Sequence, residues 1–181
     1  MTKTCSELFQ GMDCAIIGNG NEEVAGLAFR SDEVAPGDMF FCIVGTVVDG
    51  HSFAQDAIDR GATSLVAERK VYLADATDVT EVVVSDSRKA MAYASANYYD
   101  NPSRAFSLVG ITGTKGKTTT SYMLHAIMDA AEVSTSILGS IETDDGIEEF
   151  ESCNTTPESP DLWRHLSNTV ASGRAHMVME V

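Results

Sequence analysis

Positive charge is scarce in this sequence. Only 12 Lys and Arg residues stand against 27 Asp and Glu residues in a chain of 181, and the formal net charge is −15. Nucleic acids are bound largely through Lys and Arg contacts to phosphate, so we expect no nucleic acid among the partners. A polyanionic ligand would have to be held by a local arrangement of donors, because the overall field of the protein repels it.

Cysteines and long apolar runs are also few. The four cysteines have neither CxxC spacing nor the density of a disulfide scaffold, which predicts free thiols in a reducing compartment. They are Cys5, Cys14, Cys42 and Cys153. No segment approaches the roughly 20 apolar residues that span a bilayer, and the N-terminus does not read as a signal peptide. We therefore expect a cytoplasmic protein without membrane insertion, and we further expect a monomer.

Short apolar runs alternate with amphipathic stretches through the first half of the chain, a pattern typical of an α/β fold. Strands are predicted over residues 39–44, 64–67 and 81–85, and helices over residues 51–60, closed by Gly61, and 87–99. Residues 71–78 are too irregular to assign beyond a surface connection. Turn-forming residues at 100–104 then break the periodicity, which predicts a domain boundary there.

A second α/β unit follows this break. A strand over residues 106–111 leads through a glycine-rich turn into a helix over about residues 118–131. The apolar face of that helix carries Met123, Leu124, Ile127, Met128 and Ala131. Ser159 is predicted to cap a further helix that Pro160 opens and that ends near Gly173. The pattern closes with a strand over residues 176–181.

The turn after the strand reads GITGTKGKTTT over residues 110–120 and carries the strongest chemical signal. Glycines let the backbone turn tightly and point N–H groups at phosphate oxygens, and the N-terminus of the next helix adds positive potential. Lys117 can reach the β- and γ-phosphates of a nucleotide, and the Thr118 hydroxyl can ligate Mg²⁺. The sequence of this turn departs from the P-loop pattern GxxxxGK[ST], because Ile111 occupies the position of the first glycine.

The stretch GTKGKTT resembles the ATP loop of the Mur ligase superfamily, which reads GTxGKTT. The resemblance implies ATP binding by seven residues, with Lys117 in the catalytic role: Gly113, Thr114, Lys115, Gly116, Lys117, Thr118 and Thr119. Such enzymes form an amide bond with ATP: a carboxylate attacks the γ-phosphate, and an amine then displaces phosphate from the acyl phosphate. Many members have Asn where this chain has Lys115, which either approaches the phosphates or is solvated.

The stretch RSDEVAPGDMF at residues 30–40, followed by DGHSF at 49–53, resembles the N-terminal uridine-nucleotide domain of two branches of this family. These branches add the third residue and the final dipeptide of the peptidoglycan stem peptide. Folylpolyglutamate synthase, a more distant member, lacks that domain. Alignment on Val34 puts Ser31 on the serine that contacts the UDP-sugar, and residues 46–48 fall where members line the nucleotide pocket. A capping serine in an ordinary loop is the alternative reading of Ser31.

Two further stretches favour the branch that adds the third residue. NTTPES at residues 154–159 resembles the segment whose asparagine and two threonines hold UDP-MurNAc-dipeptide, which gives Asn154, Thr155 and Thr156 that role. HMVMEV at residues 176–181 resembles the strand whose glutamate helps ligate Mg²⁺ beside the ATP phosphates. By position Glu180 takes this role, together with Thr118. We expect Ser31 and the three residues of the NTT segment to line one cleft for the nucleotide sugar.

The resemblance therefore implies a UDP-MurNAc-binding α/β domain over residues 1–103 and the first part of a parallel-sheet P-loop ATPase domain over residues 105–181. The implied activity is ATP- and Mg²⁺-dependent addition of a diamino acid to UDP-MurNAc-L-Ala-D-Glu in peptidoglycan synthesis. Members of the family continue into a longer central domain and a third domain, so we expect an incomplete, inactive fragment. Lysine, diaminopimelate or another acceptor stays open. The alternatives are the D-Ala-D-Ala-adding ligase and a non-catalytic nucleotide-binding module.

Overall fold

The computed structural model describes residues 2–74, 78–152 and 154–181. The chain divides into two compact units, Met1–Tyr98 and Tyr99–Val181. The division falls just before the turn-forming residues 100–104, at which the sequence predicts a boundary. Among the described residues, every helix is too short or too polar to serve as a transmembrane segment. The thiol predicted at Cys153, and part of the irregular connection at 71–78, lie outside the described residues.

The first unit is built on a five-stranded sheet with strand order β2-β7-β6-β5-β4, and a separate antiparallel pair joins β1 to β3. Strands β4 to β7 pair in parallel, and β2 runs antiparallel to β7. The strands are β1 Lys3–Thr4, β2 Ala15–Ile17, β3 Glu23–Val24, β4 Leu27–Ala28, β5 Met39–Phe41, β6 Ser64–Ala67 and β7 Thr80–Val83. The helices are α1 Cys5–Leu8, α2 Ala54–Asp59 and α3 Ser87–Tyr98.

Both faces of this sheet are covered, which explains why the strand β5, with the sequence Met-Phe-Phe, is apolar without interruption. Met39 and Phe41 point to one face and pack with residues of α1 and α3, whereas Phe40 points to the other and packs with Ala54 and Ala57 of α2. Strand β5 is three residues shorter than the predicted strand at 39–44, because the chain turns at Ile43 into a loop closed by hydrogen bonds.

The predicted helix at 51–60 is a 3₁₀ turn, Gly50–Phe53, that runs directly into α2. Gly61 follows α2 with φ of 109°, a conformation that favours glycine, and so ends the helix as predicted. Cys5, Cys14 and Cys42 are free thiols. Burial raises the pKa of the Cys5 and Cys42 thiols to about 12. These two thiols therefore serve as core side chains and not as reactive groups.

The second unit is a five-stranded mixed sheet with strand order β11-β10-β9-β12-β8. Strands β9, β12 and β8 are parallel, and β10 and β11 form an antiparallel hairpin beside β9. The strands are β8 Ser107–Ile111, β9 Thr135–Leu138, β10 Glu142–Asp144, β11 Glu149–Glu151 and β12 His176–Glu180. The helices are α4 Lys117–Ala130 and α5 Ser159–Ala171. The predicted α/β class is confirmed in both units.

Two details of the helices in this unit differ from expectation. Helix α5 begins at Ser159, so the capping position belongs to Glu158, whose side chain makes no capping hydrogen bond. Pro160 still falls in the first turn, where a missing N–H costs nothing. Met123 and Ile127, predicted on the apolar face of α4, are exposed, because within the described part of the chain nothing covers that side of the helix.

The pair Met177 and Met123 gives a test of where the second core lies. Met177 is fully buried between the sheet and α5, and replacing it by Ala should lower the free energy of unfolding by about 2–5 kcal/mol. Met123→Ala, at an exposed helix position, should change it by less than about 0.5 kcal/mol. Urea unfolding followed by circular dichroism measures both. Equal losses for the two variants would contradict the core described here.

Candidate nucleotide site

The glycine-rich loop connects the end of β8, at Ile111, to the first residue of α4, Lys117. Gly113 has φ of 153° and Gly116 has φ of 79°, and both values lie where only glycine is unstrained. A Cβ atom added to Gly116 would meet nothing within 4 Å, so backbone conformation and not space requires this glycine. The conformation of the loop therefore depends on glycine at positions 113 and 116.

The N-terminus of α4 offers donors to an anion. Its first helical hydrogen bond runs from Thr120 N to Gly116 O, at 3.0 Å, so the amides of Lys117, Thr118 and Thr119 have no partner within the helix. The Lys117 Nζ donates to the Gly113 carbonyl at 2.9 Å, which folds the side chain back over the loop. An ammonium group and free helix amides thus converge on one exposed turn, as phosphate binding requires.

Glu180 lies beside this turn and is fully buried. In the parallel pair β8 and β12 it stands opposite Ile111, the last strand residue before the loop. Thr118 Oγ1 donates to its Oε2 at 3.0 Å, and Ser121 Oγ donates to its Oε1 at 3.3 Å. Ser140 donates twice, from its N to Oε1 and from its Oγ to Oε2, both at 3.2 Å. These donors are all uncharged, so the carboxylate keeps its capacity to meet a cation.

Space around Glu180 is tight on the side of Gly139. A Cβ atom at Gly139 would lie 2.6 Å from Glu180 Oε1, which is shorter than any real contact of that kind. In the Gly139-Ser140 turn after β9, the glycine therefore leaves room for the carboxylate, and the serine donates to both of its oxygens. Sequence reasoning missed Ser140, although its place just after a strand of the same sheet is a usable signal.

Ser140 also reaches the NTT segment. Its hydroxyl lies 2.9 Å from Thr155 Oγ1, and Thr156 Oγ1 donates to the main-chain oxygen of Glu180 at 3.1 Å. The structure thus brings Thr118, Thr155, Thr156 and Glu180 into one hydrogen-bonded group. Asn154 lies apart from it and lines a cavity of about 230 Å³. The other lining residues are Thr143, Phe150, Ser152, Pro157, Asp161, Arg164 and His165.

Ser31 belongs to the first unit and lines a cavity of about 500 Å³ there. The other lining residues are Phe29, Arg30, Asp32, Phe40, Ile43, Gly45, Val48, Gly50 and Phe53. Of the three loop residues predicted to line a nucleotide pocket, Val48 lines this cavity, whereas Val47 is 93% exposed; their role in nucleotide binding stays a prediction. Because Ser31 and the NTT segment belong to different units, their common cleft stays a prediction.

A cluster of possible metal ligands, Asp145, Glu148 and His165, is also present in the second unit. Asp145 Oδ2 lies 2.6 Å from His165 Nδ1 and accepts from Asn168 at 2.9 Å, while its Oδ1 accepts the amides of Ile147 and Glu148. Glu148 is paired with Arg164. The Arg164 guanidinium already neutralises Glu148, and the hydrogen bonds of Asp145 fasten the β10–β11 hairpin to α5, so we assign the cluster a structural role.

Two family models match the chain: "Mur ligase family, catalytic domain" over residues 23–112 and "Mur ligase middle domain" over residues 111–181. The glycine-rich loop, the buried Glu180 and the α/β fold agree with these matches. The chain belongs to the Mur ligase family. A curated relative from Clostridium perfringens is named UDP-N-acetylmuramoyl-L-alanyl-D-glutamate–2,6-diaminopimelate ligase. It is 38% identical over 175 residues, which are 96% of this chain and 36% of the relative.

Solved structures show the same fold. One titled as a UDP-N-acetylmuramoyl-L-alanyl-D-glutamate–2,6-diaminopimelate ligase superposes with a TM-score of 0.72 at 19% identity, covering 100% of this chain and 36% of that one. MurF ligase from Thermotoga maritima, in complex with ADP, gives 0.57 at 24% identity, covering 86% of this chain and 31% of that one. The chain spans about a third of the length of the curated relatives and solved structures that it matches.

The buried pair Asp145 and His165 generates a prediction about pH. Burial alone raises the pKa of Asp145, but the donors from Glu148, His165 and Asn168 outweigh it and hold the pKa below its ordinary value. A lowered folded-state pKa stabilises the fold above the unfolded-state pKa of about 4, and this contribution is lost as the pH falls through the folded-state pKa. Asp145→Asn should therefore cost about 3 kcal/mol at neutral pH and progressively less below about pH 4.

Unfolding of both proteins in urea between about pH 7 and pH 3 measures this difference directly. Asp129→Asn, at an exposed position of α4, is the control and should cost little at any pH. A cost of Asp145→Asn that stayed constant down to pH 3 would rule out the lowered pKa.

Proposed function

We propose that this chain provides the UDP-sugar and ATP phosphate sites of a ligase that adds diaminopimelate to UDP-MurNAc-L-Ala-D-Glu. The observation that carries the proposal is the hydrogen-bonded group around Glu180, which joins the phosphate loop through Thr118 to the NTT segment through Ser140 and Thr155. A ligase of this kind must hold a phosphoryl donor and its acceptor side by side. The relatives that are about 38% identical carry this activity in their names, which favours diaminopimelate over lysine.

The loop residues suit ATP. The free amides at the start of α4 and the Lys117 ammonium would hold the β- and γ-phosphates, and they neutralise charge on the phosphoryl oxygens during transfer. Lys115 is exposed and adds positive charge without a defined contact. Lys117 is thus the loop side chain on which phosphate binding depends most.

Mg²⁺ fits the same place. Thr118 and Glu180 would hold it, since a hydroxyl and a buried carboxylate with uncharged neighbours are the oxygen ligands that this ion prefers. The ion supplies charge stabilisation to the phosphates when it is bound. Within the protein, the Ser121 and Ser140 donors hold the carboxylate beside the loop.

The two cavities suit different parts of the nucleotide sugar. The larger one, beside Ser31, has apolar walls from Phe29, Phe40 and Phe53 and a volume that accommodates a uridine. The NTT segment offers an amide and two hydroxyls for the pyrophosphate or sugar oxygens. In the reaction, the free carboxylate of the D-Glu residue receives the γ-phosphoryl group, and the amine of the acceptor then displaces phosphate to form the amide.

Replacing Lys117 by Ala tests the ATP site. The variant should bind Mg-ATP at least about tenfold more weakly, because hydrogen bonds to charged groups contribute roughly 1.5–3 kcal/mol. Binding of UDP-GlcNAc should not change, because the Ser31 cavity belongs to the other unit. Isothermal titration calorimetry measures both affinities. Lys115→Ala is the matched control and should change Mg-ATP affinity by less than about threefold; equal losses would show that loop charge alone binds phosphate.

The activity itself is tested by the mass of the product. A complete ligase that carries this chain should extend UDP-MurNAc-L-Ala-D-Glu by one diaminopimelate residue when ATP and Mg²⁺ are present, and Lys117→Ala in it should abolish the extended product. Extension by lysine at an equal or higher rate would contradict the proposed acceptor.

A further inference from the structure

One wall of the cavity beside Ser31 is a short closed loop between Ile43 and Gly50. Gly50 N donates to Ile43 O at 2.8 Å, and Gly45 N donates to Val48 O at 3.0 Å. These four residues all line the cavity. A Cβ atom at Gly50 would lie 2.6 Å from Ile43 N, so the two ends of the loop are in direct backbone contact. Backbone hydrogen bonds therefore close this wall at its base and near its tip.

Asp49, inside this loop, ties it to its surroundings. Its carboxylate accepts from Arg69 at 2.7 Å, from His51 N at 3.0 Å and from the His51 ring at Nδ1, 2.6 Å away. The Arg69 guanidinium, followed by the two His51 donors, holds the pKa of Asp49 well below its usual range. Asp49 is thus an ionised acceptor, so the proton of the His51 ring lies on Nδ1.

The other ring nitrogen of His51 faces a group that can only donate. Glu68 N lies 3.1 Å from His51 Nε2, and a backbone amide has no lone pair to offer. Nε2 must therefore accept, and the ring is neutral. Its side chain is only 5% exposed, so water does not replace either partner. Glu68 follows the last residue of β6, and its carboxylate accepts from Ser87 at the start of α3.

We propose that His51 is a positioning residue for the nucleotide-sugar cavity: its neutral imidazole fastens the loop that forms the cavity wall to the end of β6. The ligand that depends on it is a UDP-sugar, so this inference rests on the proposed function. Of the charged groups near the ring, Asp49 contacts Nδ1 and is itself paired with Arg69, whereas the Glu68 carboxylate accepts from Ser87 at the start of α3. A proton on Nε2 would set two donors against each other and release the wall from β6.

Two substitutions test the roles of the two ring nitrogens separately. In His51→Gln the side-chain oxygen can take the place of Nε2 and accept from Glu68 N, whereas in His51→Asn the amide reaches only the position of Nδ1. At about pH 8, His51→Asn and His51→Ala should bind UDP-GlcNAc about tenfold more weakly than the unaltered protein. His51→Gln should stay within about threefold of it. An Asn variant that binds as tightly as the Gln variant would overturn the proposal.

The pH dependence of UDP-GlcNAc affinity is a further measurement, and a purely structural role of His51 would not affect it. Binding of UDP-GlcNAc by the unaltered protein should weaken on acidification, because a proton on Nε2 would remove the acceptor for Glu68 N. His51→Gln has no ring to protonate, and its affinity should vary less with pH. UDP-GlcNAc is chosen because its pyrophosphate is a diester whose charge does not change in that comparison. Identical profiles for the two proteins would refute the inference.

Hydrogen exchange of the Glu68 amide tests the contact with His51 without any ligand. Protection of this amide should be lost in His51→Asn and His51→Ala and kept in His51→Gln, while circular dichroism verifies that each variant is folded. If the unaltered protein failed to bind UDP-GlcNAc, the proposed function would fail. Glu68 exchange would then still decide whether the imidazole fastens the loop, and equal protection in all variants would refute it.

Discussion

The burial of the Glu180 carboxylate is the constraint on which the second unit depends. A carboxylate taken out of water is costly unless donors satisfy its oxygens, and among the described residues four donor groups do so. They come from the helix after the phosphate loop and from the turn after β9. Because one buried group needs both elements, the phosphate loop, the Gly139-Ser140 turn and the end of β12 hold a common geometry.

The same constraint connects the candidate site to its surroundings. Ser140 uses one hydroxyl to contact both Glu180 and Thr155, so the predicted metal ligand and the predicted substrate segment share a hydrogen-bond partner. A hydroxyl has a single proton, so when the Ser140 hydroxyl donates to Glu180 it accepts from the Thr155 hydroxyl. The interaction gives a physical path between the proposed nucleotide and substrate sites.

In the first unit, hydrogen bonds of a buried side chain order a loop in a similar way. Its cavity wall is a loop, and loops hold a defined shape only where their backbone and side-chain groups find partners. Here the partners are a backbone amide at the end of β6 and the Asp49 carboxylate, joined by the ring of His51. In both units an interior side chain with two hydrogen-bonding atoms connects a candidate binding surface to the end of a strand. Ligands in α/β folds meet the protein at that edge.

The sequence alone determined what depends on near neighbours. The α/β class, the strand at 64–67, the helix that begins at Ser87 and the glycine-dependent phosphate loop follow from periodicity and from backbone rules over a few residues. Only the tertiary structure decided what depends on strand register. Ser140 meets Glu180 across 40 residues, and His51 meets Glu68 across 17, at distances that no local pattern encodes. Periodicity assigns a residue to a strand or helix and a face, whereas a hydrogen bond requires two particular atoms within about 3 Å, and packing of the whole sheet sets that separation.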